Sequence, residues 1–154
     1  MELSSDAIPD GSTVELTYAE PSCGGGNVSP DLRWSGAPDG TASYALTCFD
    51  PDAPTGSGWW HWVAIDIPAD VTSLEAGAQL AAPAREWVND YGYSGYGGPC
   101  PPPGPAHRYV FTVYAMDTAR LEVPAGATSA VCRFNLLAHA LDSASFTATF
   151  AVAE

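Results

Sequence analysis

The chain has 154 residues and 46% of them are hydrophobic, which suffices for one core and predicts a single domain over residues 1–154. Eighteen acidic residues outnumber five basic ones, all arginines, and the formal charge of −13 excludes nucleic acid as a favoured partner. No apolar run approaches the ~20 residues of a membrane span and the first residues lack a basic secretory start, so we expect a soluble, cytoplasmic protein without membrane insertion.

Most elements predicted along the chain are strands, because apolar residues alternate with period two. Residues 13–18 and 32–34 are predicted as the first two strands. Residues 43–49, 61–67 and 108–116 are longer apolar or alternating runs, and we expect them to form the central sheet. Strands therefore dominate the expected fold.

One helix is predicted near the C-terminus, with Thr128 or Ser129 as its N-cap and an end at about residue 141. Its apolar face comprises Val131, Phe134, Leu137 or Ala138, and Leu141. Residues 145–152 alternate again and predict a terminal strand. The expected fold class is mainly β, a sandwich of antiparallel strands with this single helix and long Pro/Gly loops.

The longest of these loops spans residues 91–105, which contain five prolines and five glycines. This composition forbids regular structure, and the fixed φ of the prolines favours an ordered loop.

The four cysteines are widely spaced and form no C-x-x-C pair. With no secretory signal, we expect reduced thiols and neither a zinc knuckle nor a disulfide at Cys23, Cys48, Cys100 and Cys132. Cys48 lies in an apolar strand and should be in the core, whereas Cys100, between prolines, is the candidate reactive thiol.

The high acidity has two interpretations. The chain is either an ordinary acidic protein or one adapted to a salt-rich cytoplasm, where self-repulsion is screened within ~3 Å at 1 M ionic strength. The second, halophilic interpretation is favoured, and it concerns habitat rather than activity.

An Asp or a His stands where each predicted central strand ends or begins. Asp50 follows the first strand in a stiff Asp-Pro-Asp-Ala-Pro turn, His61 enters the second, and His107 is delivered by the long loop to the third. Each feature alone is common in purely structural roles. Together they predict converging strand ends, where two imidazoles beside a carboxylate suit a phosphate-sized anion and the carboxylate raises the imidazole pKa.

The aromatic residues around His61 also carry a structural prediction. Strict alternation in residues 59–62 places Trp60 and Trp62 on one face of the strand and Trp59 with His61 on the other.

These segments, in this order and spacing, resemble the phosphatidylethanolamine-binding protein family. The shared motifs are Asp50-Pro51-Asp52-Ala53-Pro54, Trp59 with His61, residues 98–102, and His107-Arg108-Tyr109. Residues 27–34 and Asn89-Asp90-Tyr91-Gly92 are further similar to its prokaryotic, Raf-kinase-inhibitor-like branch. The resemblance covers about residues 10–153 and implies two packed antiparallel sheets with a small anion pocket near the ends of central strands.

The resemblance also implies the residues of the pocket. It would be lined by Asp50, His61, Gly98, Pro101, His107 and Tyr109, supported by Asp52 and Arg108, and walled in part by Trp59. The family pattern has a more glycine-rich segment before the histidine, whereas this chain has Pro105 and Ala106 before His107. This departure bears on ligand size.

We therefore expect a binding protein for a small anionic or zwitterionic ligand, such as phosphate or a phosphoethanolamine head group, with no cofactor and no catalysis. An alternative is a phosphoester hydrolase using Asp50 and His107 as an acid/base pair, although no nucleophile can be named. A second is an interaction module, since relatives modulate kinases or inhibit proteases. A zinc site of His61, His107 and Asp50 is a minor alternative. Monomer and homodimer are both left open, and no protein partner is indicated.

Overall fold

The computed structural model describes all residues 1–154, and strands dominate it. In chain order the elements are β1 (Glu2–Ser4), β2 (Leu32–Ser35), β3 (Ser43–Asp50), β4 (Trp59–Pro68), β5 (Ser73–Leu74), β6 (Arg85–Glu86), β7 (His107–Met116), α1 (Ser129–Leu137) and β8 (Ala140–Phe150). Two 3-10 helices, Leu16–Tyr18 and Pro21–Cys23, lie between β1 and β2. The prediction of a mainly β fold with one α-helix is confirmed. No helix has the length and apolar character needed to cross a membrane.

The strands form two antiparallel sheets, one of three strands in the order β1-β2-β5 and one of five in the order β6-β4-β3-β7-β8. The three long strands predicted from the sequence therefore lie at the centre of the larger sheet. The larger core combines side chains of both sheets, and Trp34 of β2 meets Tyr44 of β3 edge to face at 5.5 Å. The two sheets thus pack face to face, as expected.

The helix α1 covers the other face of the five-stranded sheet. Its Cys132 and Leu136 are fully buried with Val63 and Ile65 of β4 in a second core. The side chain of Thr128 caps its start by accepting a hydrogen bond from the Val131 amide at 3.2 Å.

Two details of the predicted helix are wrong. The helix ends at Leu137 rather than near residue 141. The face that contains Phe134 is exposed, while the buried side carries Ser129, Cys132 and Leu136. Both sides of this helix carry apolar residues, so only its docking on the sheet decides which side is buried.

The terminal strand β8 begins at Ala140 rather than at residue 145 and ends at Phe150 rather than 152. It pairs with β7 over the whole length of that strand, from His107 opposite Phe150 to Met116 opposite Ala140. This ladder extends the strand through residues 140–145, whose own sequence has weak β propensity.

Residues 13–18 do not form the predicted strand. Only their first residues lie beside β8, where Thr13 bridges Thr149 and the Val14 amide donates to the Thr149 carbonyl at 2.8 Å. From Leu16 the chain turns into a 3-10 helix. The short strands β1, β5 and β6 were not predicted, because two or three residues are too few to show a period.

Cys23 and Cys100 form a disulfide, so the prediction of four reduced thiols is wrong. The bond ties the loop of residues 91–105, which has no regular element, to the 3-10 helix at Pro21–Cys23. A pairing across 77 residues leaves no local sequence signal. It also leaves Cys100 without the reactive thiol expected of it, and because disulfides persist mainly in oxidising compartments, it gives no support to a cytoplasmic location.

Candidate functional site

A cavity of about 270 Å³ opens where β3 ends and β4 and β7 begin. Antiparallel neighbours bring these ends together, with Asp50 opposite Trp59 and Phe49 opposite Val110. The lining residues are Asp50, Ala53, Pro54, Thr55, Trp59, His61, Tyr91, Cys100, Pro101, Pro102, His107 and Tyr109. The predicted convergence of strand ends is therefore present in the structure.

Six of the nine predicted site residues line this cavity: Asp50, Trp59, His61, Pro101, His107 and Tyr109. Asp52, Gly98 and Arg108 do not. Gly98 lies behind the wall, where its amide donates to Asn27 Oδ1 at 2.8 Å and its carbonyl accepts from the Tyr91 hydroxyl at 2.8 Å. A Cβ on Gly98 would overlap the carbonyl oxygen of Tyr18, so only glycine fits this close approach.

Asp50 fixes the orientation of His107. Nδ1 of His107 lies 2.7 Å from Oδ2 of Asp50, whose other oxygen accepts from the Asp52 amide at 2.8 Å, and Asp50 is only 3% exposed. A carboxylate can only accept, so Nδ1 of His107 carries the proton. Its Nε2 is left for a ligand, as an acceptor when the ring is neutral and a donor when it is protonated.

His61 is held in the same tautomer by the backbone. Its Nδ1 donates to the Gly97 carbonyl at 2.7 Å, and burial lowers the pKa of the imidazole. The rings of Tyr91 and Tyr109 meet it edge to face, at 5.5 and 5.1 Å between centroids. His61 is therefore neutral at pH 7, and its Nε2, which bonds no protein group, is a hydrogen-bond acceptor.

A β-bulge aims His61 at the cavity. Cys48 pairs with Trp62 and the adjacent Phe49 with Trp60, so His61 is the extra residue. The bulge also breaks the predicted alternation: Trp60 packs against Phe49 at 4.3 Å, while Trp62 contacts Tyr96 in the larger core. The prediction that Trp60 and Trp62 share a face is therefore wrong.

Two lining side chains carry buried donors without a partner in the protein. They are the hydroxyl of Tyr109 and Nε1 of Trp59. Burial raises the pKa of Tyr109 far above its usual range, so the hydroxyl keeps its proton. Buried polar atoms in folded proteins are nearly always hydrogen-bonded, so these two unpaired donors are exceptions among the residues that line the cavity.

Asp52 and Arg108 support the rim of the cavity. Arg108 donates to Asp52 from Nε at 3.0 Å, from Nη2 at 2.8 Å and from its amide at 2.8 Å. These bonds lower the pKa of Asp52 to about 2. The guanidinium of Arg108 is therefore paired with Asp52. No arginine or lysine lines the cavity, so its two imidazoles are its only side chains that can become cationic.

Tyr91 is the most informative residue that sequence reasoning did not assign to the site. It lines the cavity, contacts Trp59 edge to face at 5.3 Å and bonds the Gly98 carbonyl. Its motif, Asn89-Asp90-Tyr91-Gly92, had served only as a family marker. The zinc alternative finds no support in the geometry, because no three His, Cys, Asp or Glu side chains are grouped to hold a metal.

Comparisons with known proteins agree with this architecture. A model of the phosphatidylethanolamine-binding protein family matches residues 4–151. The UPF0098 protein YbhB of Escherichia coli is 45% identical over 157 residues, covering 97% of this chain and 99% of YbhB. The crystal structure of YbcL from E. coli, described as a new member of the mammalian PEBP family, superposes with a TM-score of 0.93 at 40% identity and covers 98% of both chains. A putative lipoprotein of Mycobacterium tuberculosis, LppC, is 39% identical over 83% of this chain and 61% of its own length.

Proposed function

Because this chain belongs to the phosphatidylethanolamine-binding protein family, we propose that it is a binding protein whose cavity takes a phosphate-type anion or the phosphate end of a phosphoethanolamine-like head group. The observation that carries this proposal is the pair of unpartnered buried donors, Tyr109 Oη and Trp59 Nε1, in a cavity that also presents His107.

The hydrogen-bonding groups of the cavity specify the protonation of the ligand. Tyr109, Trp59 and protonated His107 each offer a donor, whereas neutral His61 offers an acceptor. A phosphate or phosphomonoester with one remaining proton has acceptor oxygens for the three donors and an O–H for His61 Nε2. Sulfate has no proton near neutral pH, so it would leave His61 unpaired.

The overall charge of −13 opposes any anion at long range. Affinity must therefore come from short, charge-assisted hydrogen bonds inside the cavity, of which the one from His107 is the strongest available. Binding should consequently depend most on His107.

Hydrolysis is the alternative that one observation favours, since an Asp–His hydrogen bond is also how many enzymes orient a general base. The lining of the cavity offers no free serine, threonine or cysteine side chain as a nucleophile. The Thr55 hydroxyl donates to the Gly58 carbonyl at 2.6 Å, and Cys100 is held in the disulfide. We therefore propose binding, and treat phosphoester cleavage as an outcome of the test.

The test is a calorimetric titration with inorganic phosphate, O-phosphoethanolamine and sulfate at pH 6 and pH 8. His107→Ala should weaken phosphate binding at least about tenfold, the value of one charge-assisted hydrogen bond. His139→Ala is the matched control, because His139 Nδ1 bonds Asp117 at 2.8 Å, near the opposite end of β7. The affinity of His139→Ala for phosphate should equal that of the wild type. Sulfate should bind to the wild type more weakly than phosphate does.

Three outcomes speak against the proposal. Equal phosphate affinity in His107→Ala and the wild type would remove this cavity as the site. Sulfate binding as tightly as phosphate would remove the role given to His61. Cleavage of a phosphomonoester that disappears in His107→Ala would establish the hydrolase instead.

A further inference from the structure

Asn27 does not line the cavity, yet its side chain is bonded to the loop that holds His61. Its Oδ1 accepts a hydrogen bond from the Gly98 amide at 2.8 Å, and its Nδ2 donates to the Tyr96 carbonyl at 3.4 Å. The backbone of Asn27 has a φ of +53°, in the left-handed region that asparagine tolerates better than most residues. Its own amide donates to the Ala19 carbonyl at 2.8 Å, so both the backbone and the side chain are fixed.

The peptide unit between Gly97 and Gly98 links Asn27 to His61. Its N–H is the donor to Oδ1 of Asn27, and its C=O accepts from Nδ1 of His61 at 2.7 Å. The N–H and C=O of a trans peptide point in opposite directions. Asn27 and His61 therefore hold this unit from opposite sides, and the bond to Asn27 keeps the carbonyl directed at the imidazole.

The two glycines by themselves leave this peptide unit little preference for one orientation, since neither has a Cβ to restrict the adjoining backbone angles. Side chains are excluded at both positions. A Cβ on Gly97 would overlap the ring of Tyr91, and one on Gly98 would overlap the carbonyl of Tyr18. Close packing thus requires the glycines, and the orientation of the unit depends on its hydrogen bonds.

The orientation of this unit decides which nitrogen of His61 carries the proton. Burial lowers the pKa of the imidazole, so the ring is neutral at pH 7 and has one proton. A carbonyl at Nδ1 requires that proton there, which leaves Nε2 as an acceptor. If the unit turned over, the Gly98 N–H would face Nδ1, and the proton would lie on Nε2, which would then be a donor.

We propose that Asn27 is a positioning residue that fixes the tautomer of His61 and thereby makes the cavity selective for an anion that carries a proton. The selectivity rests on the function proposed above, whereas the tautomer requires no ligand. Phosphate with one remaining proton donates to Nε2, and sulfate has no proton to donate. With its own proton on Nε2, His61 would instead offer sulfate a further donor, so loss of Asn27 shifts the preference toward sulfate.

Asn27→Gly tests the tautomer without a ligand. Glycine removes the side chain and accepts the positive φ, so the backbone is not strained by the change. In the wild type, a long-range proton–nitrogen NMR spectrum at pH 7.5 should show His61 with a protonated Nδ1 and an unprotonated Nε2. In Asn27→Gly the two nitrogen signals should move toward each other, because both tautomers become populated.

Asn27→Asp and Tyr96→Phe are the matched controls. Aspartate retains an oxygen that accepts from the Gly98 amide. Tyr96→Phe removes a different hydrogen bond of the same loop, from the Tyr96 hydroxyl to the Tyr18 carbonyl at 2.7 Å, and leaves the partners of the Gly97–Gly98 unit in place. Both controls should keep the nitrogen signals that His61 has in the wild type.

Calorimetric titration with inorganic phosphate and with sulfate at pH 7.5 tests the selectivity. The ratio of phosphate to sulfate affinity should fall about threefold or more in Asn27→Gly, the value of one neutral hydrogen bond to the ligand. Tyr96→Phe should keep the ratio of the wild type.

Unchanged His61 signals in Asn27→Gly would overturn the proposal, and so would an equal change in either control. A changed tautomer with an unchanged affinity ratio would overturn the selectivity assigned to it. If the wild type binds no phosphate, the proposed function fails, and the NMR comparison still decides whether Asn27 sets the tautomer.

Discussion

Oδ2 of Asp50, at the end of β3, lies 2.7 Å from Nδ1 of His107, at the start of β7. The same kind of pair recurs between Asp117 and His139 at 2.8 Å, but there both side chains are nearly half exposed to water. Burial makes the first pair different, because hydrogen bonds and charges interact more strongly where water is excluded. The chemistry of the cavity therefore depends on Asp50.

Asp50→Asn should weaken phosphate binding. Asparagine can still accept from Nδ1 of His107, but a neutral acceptor makes a weaker hydrogen bond than a carboxylate and holds the ring less firmly in the orientation that presents Nε2 to the anion. Calorimetry at pH 6 should show a loss of about tenfold relative to the wild type. Tighter binding in Asp50→Asn would mean that repulsion of the anion by Asp50 outweighs its hold on His107.

His61 should make the fold less stable in acid. Burial lowers its pKa in the folded chain, so as the pH falls below about 6.5 the unfolded chain binds the proton first. The stabilisation that the neutral, buried His61 provides is fully present above that pH. It is lost as the pH falls toward the pKa of His61 in the folded chain, by at most about 1.4 kcal/mol per pH unit.

Urea unfolding at pH 7.5, 6.5 and 5.5 measures this loss. In His61→Asn the amide can still donate to Gly97, and the titration is removed, so the fall in stability should be smaller than in the wild type. Since His107 and His139 are unchanged, parallel curves for the two proteins would exclude this role for His61.

The Cys23–Cys100 disulfide should stabilise the fold considerably. It closes a loop of 77 residues, and the chain-entropy argument gives about 4.5 kcal/mol as the upper value. The double variant Cys23→Ser/Cys100→Ser should lose about 2–4 kcal/mol in denaturant unfolding. Reductant should lower the melting temperature of the wild type and leave that of the double variant unchanged. An equal response of both proteins would argue against the bond.

Gly98→Ala should damage both the fold and the cavity. The added Cβ would overlap the backbone of Tyr18 and Ala19, which cannot move aside cheaply, so we expect a loss of at least about 2 kcal/mol. Gly40→Ala is the control. Gly40 has φ of +89° with nothing near its Cβ position, so only backbone strain of about 1 kcal/mol applies. Thermal melts of the two variants compare these costs directly, and similar losses would show that the crowding at Gly98 relaxes freely.

Salt should raise the melting temperature, because screening reduces repulsion within a chain of charge −13. The melting temperature should rise steadily from 0.1 M to 1 M NaCl. A flat or falling melting temperature would remove the case for adaptation to a salt-rich cytoplasm.

The sequence by itself determined the three central strands and the side chains at their ends. Period-two patterns are local, so residues 43–49, 61–67 and 108–116 predicted β3, β4 and β7 closely. Because β3 lies between β4 and β7 in the structure and antiparallel neighbours bring end against start, Asp50, His61 and His107 meet there, at the cavity to which the family motifs also pointed.

Only the tertiary structure decided the features that join distant segments. The bulge that turns His61 toward the cavity depends on the register between β3 and β4, and the disulfide depends on the long loop folding back onto residues 21–23. The exposed side of α1 was likewise fixed by docking, because the helix has apolar residues on both sides and the sheet can cover only one. Local patterns specify which elements form, whereas register, cross-links and the buried side of an element depend on contacts between residues far apart in the chain.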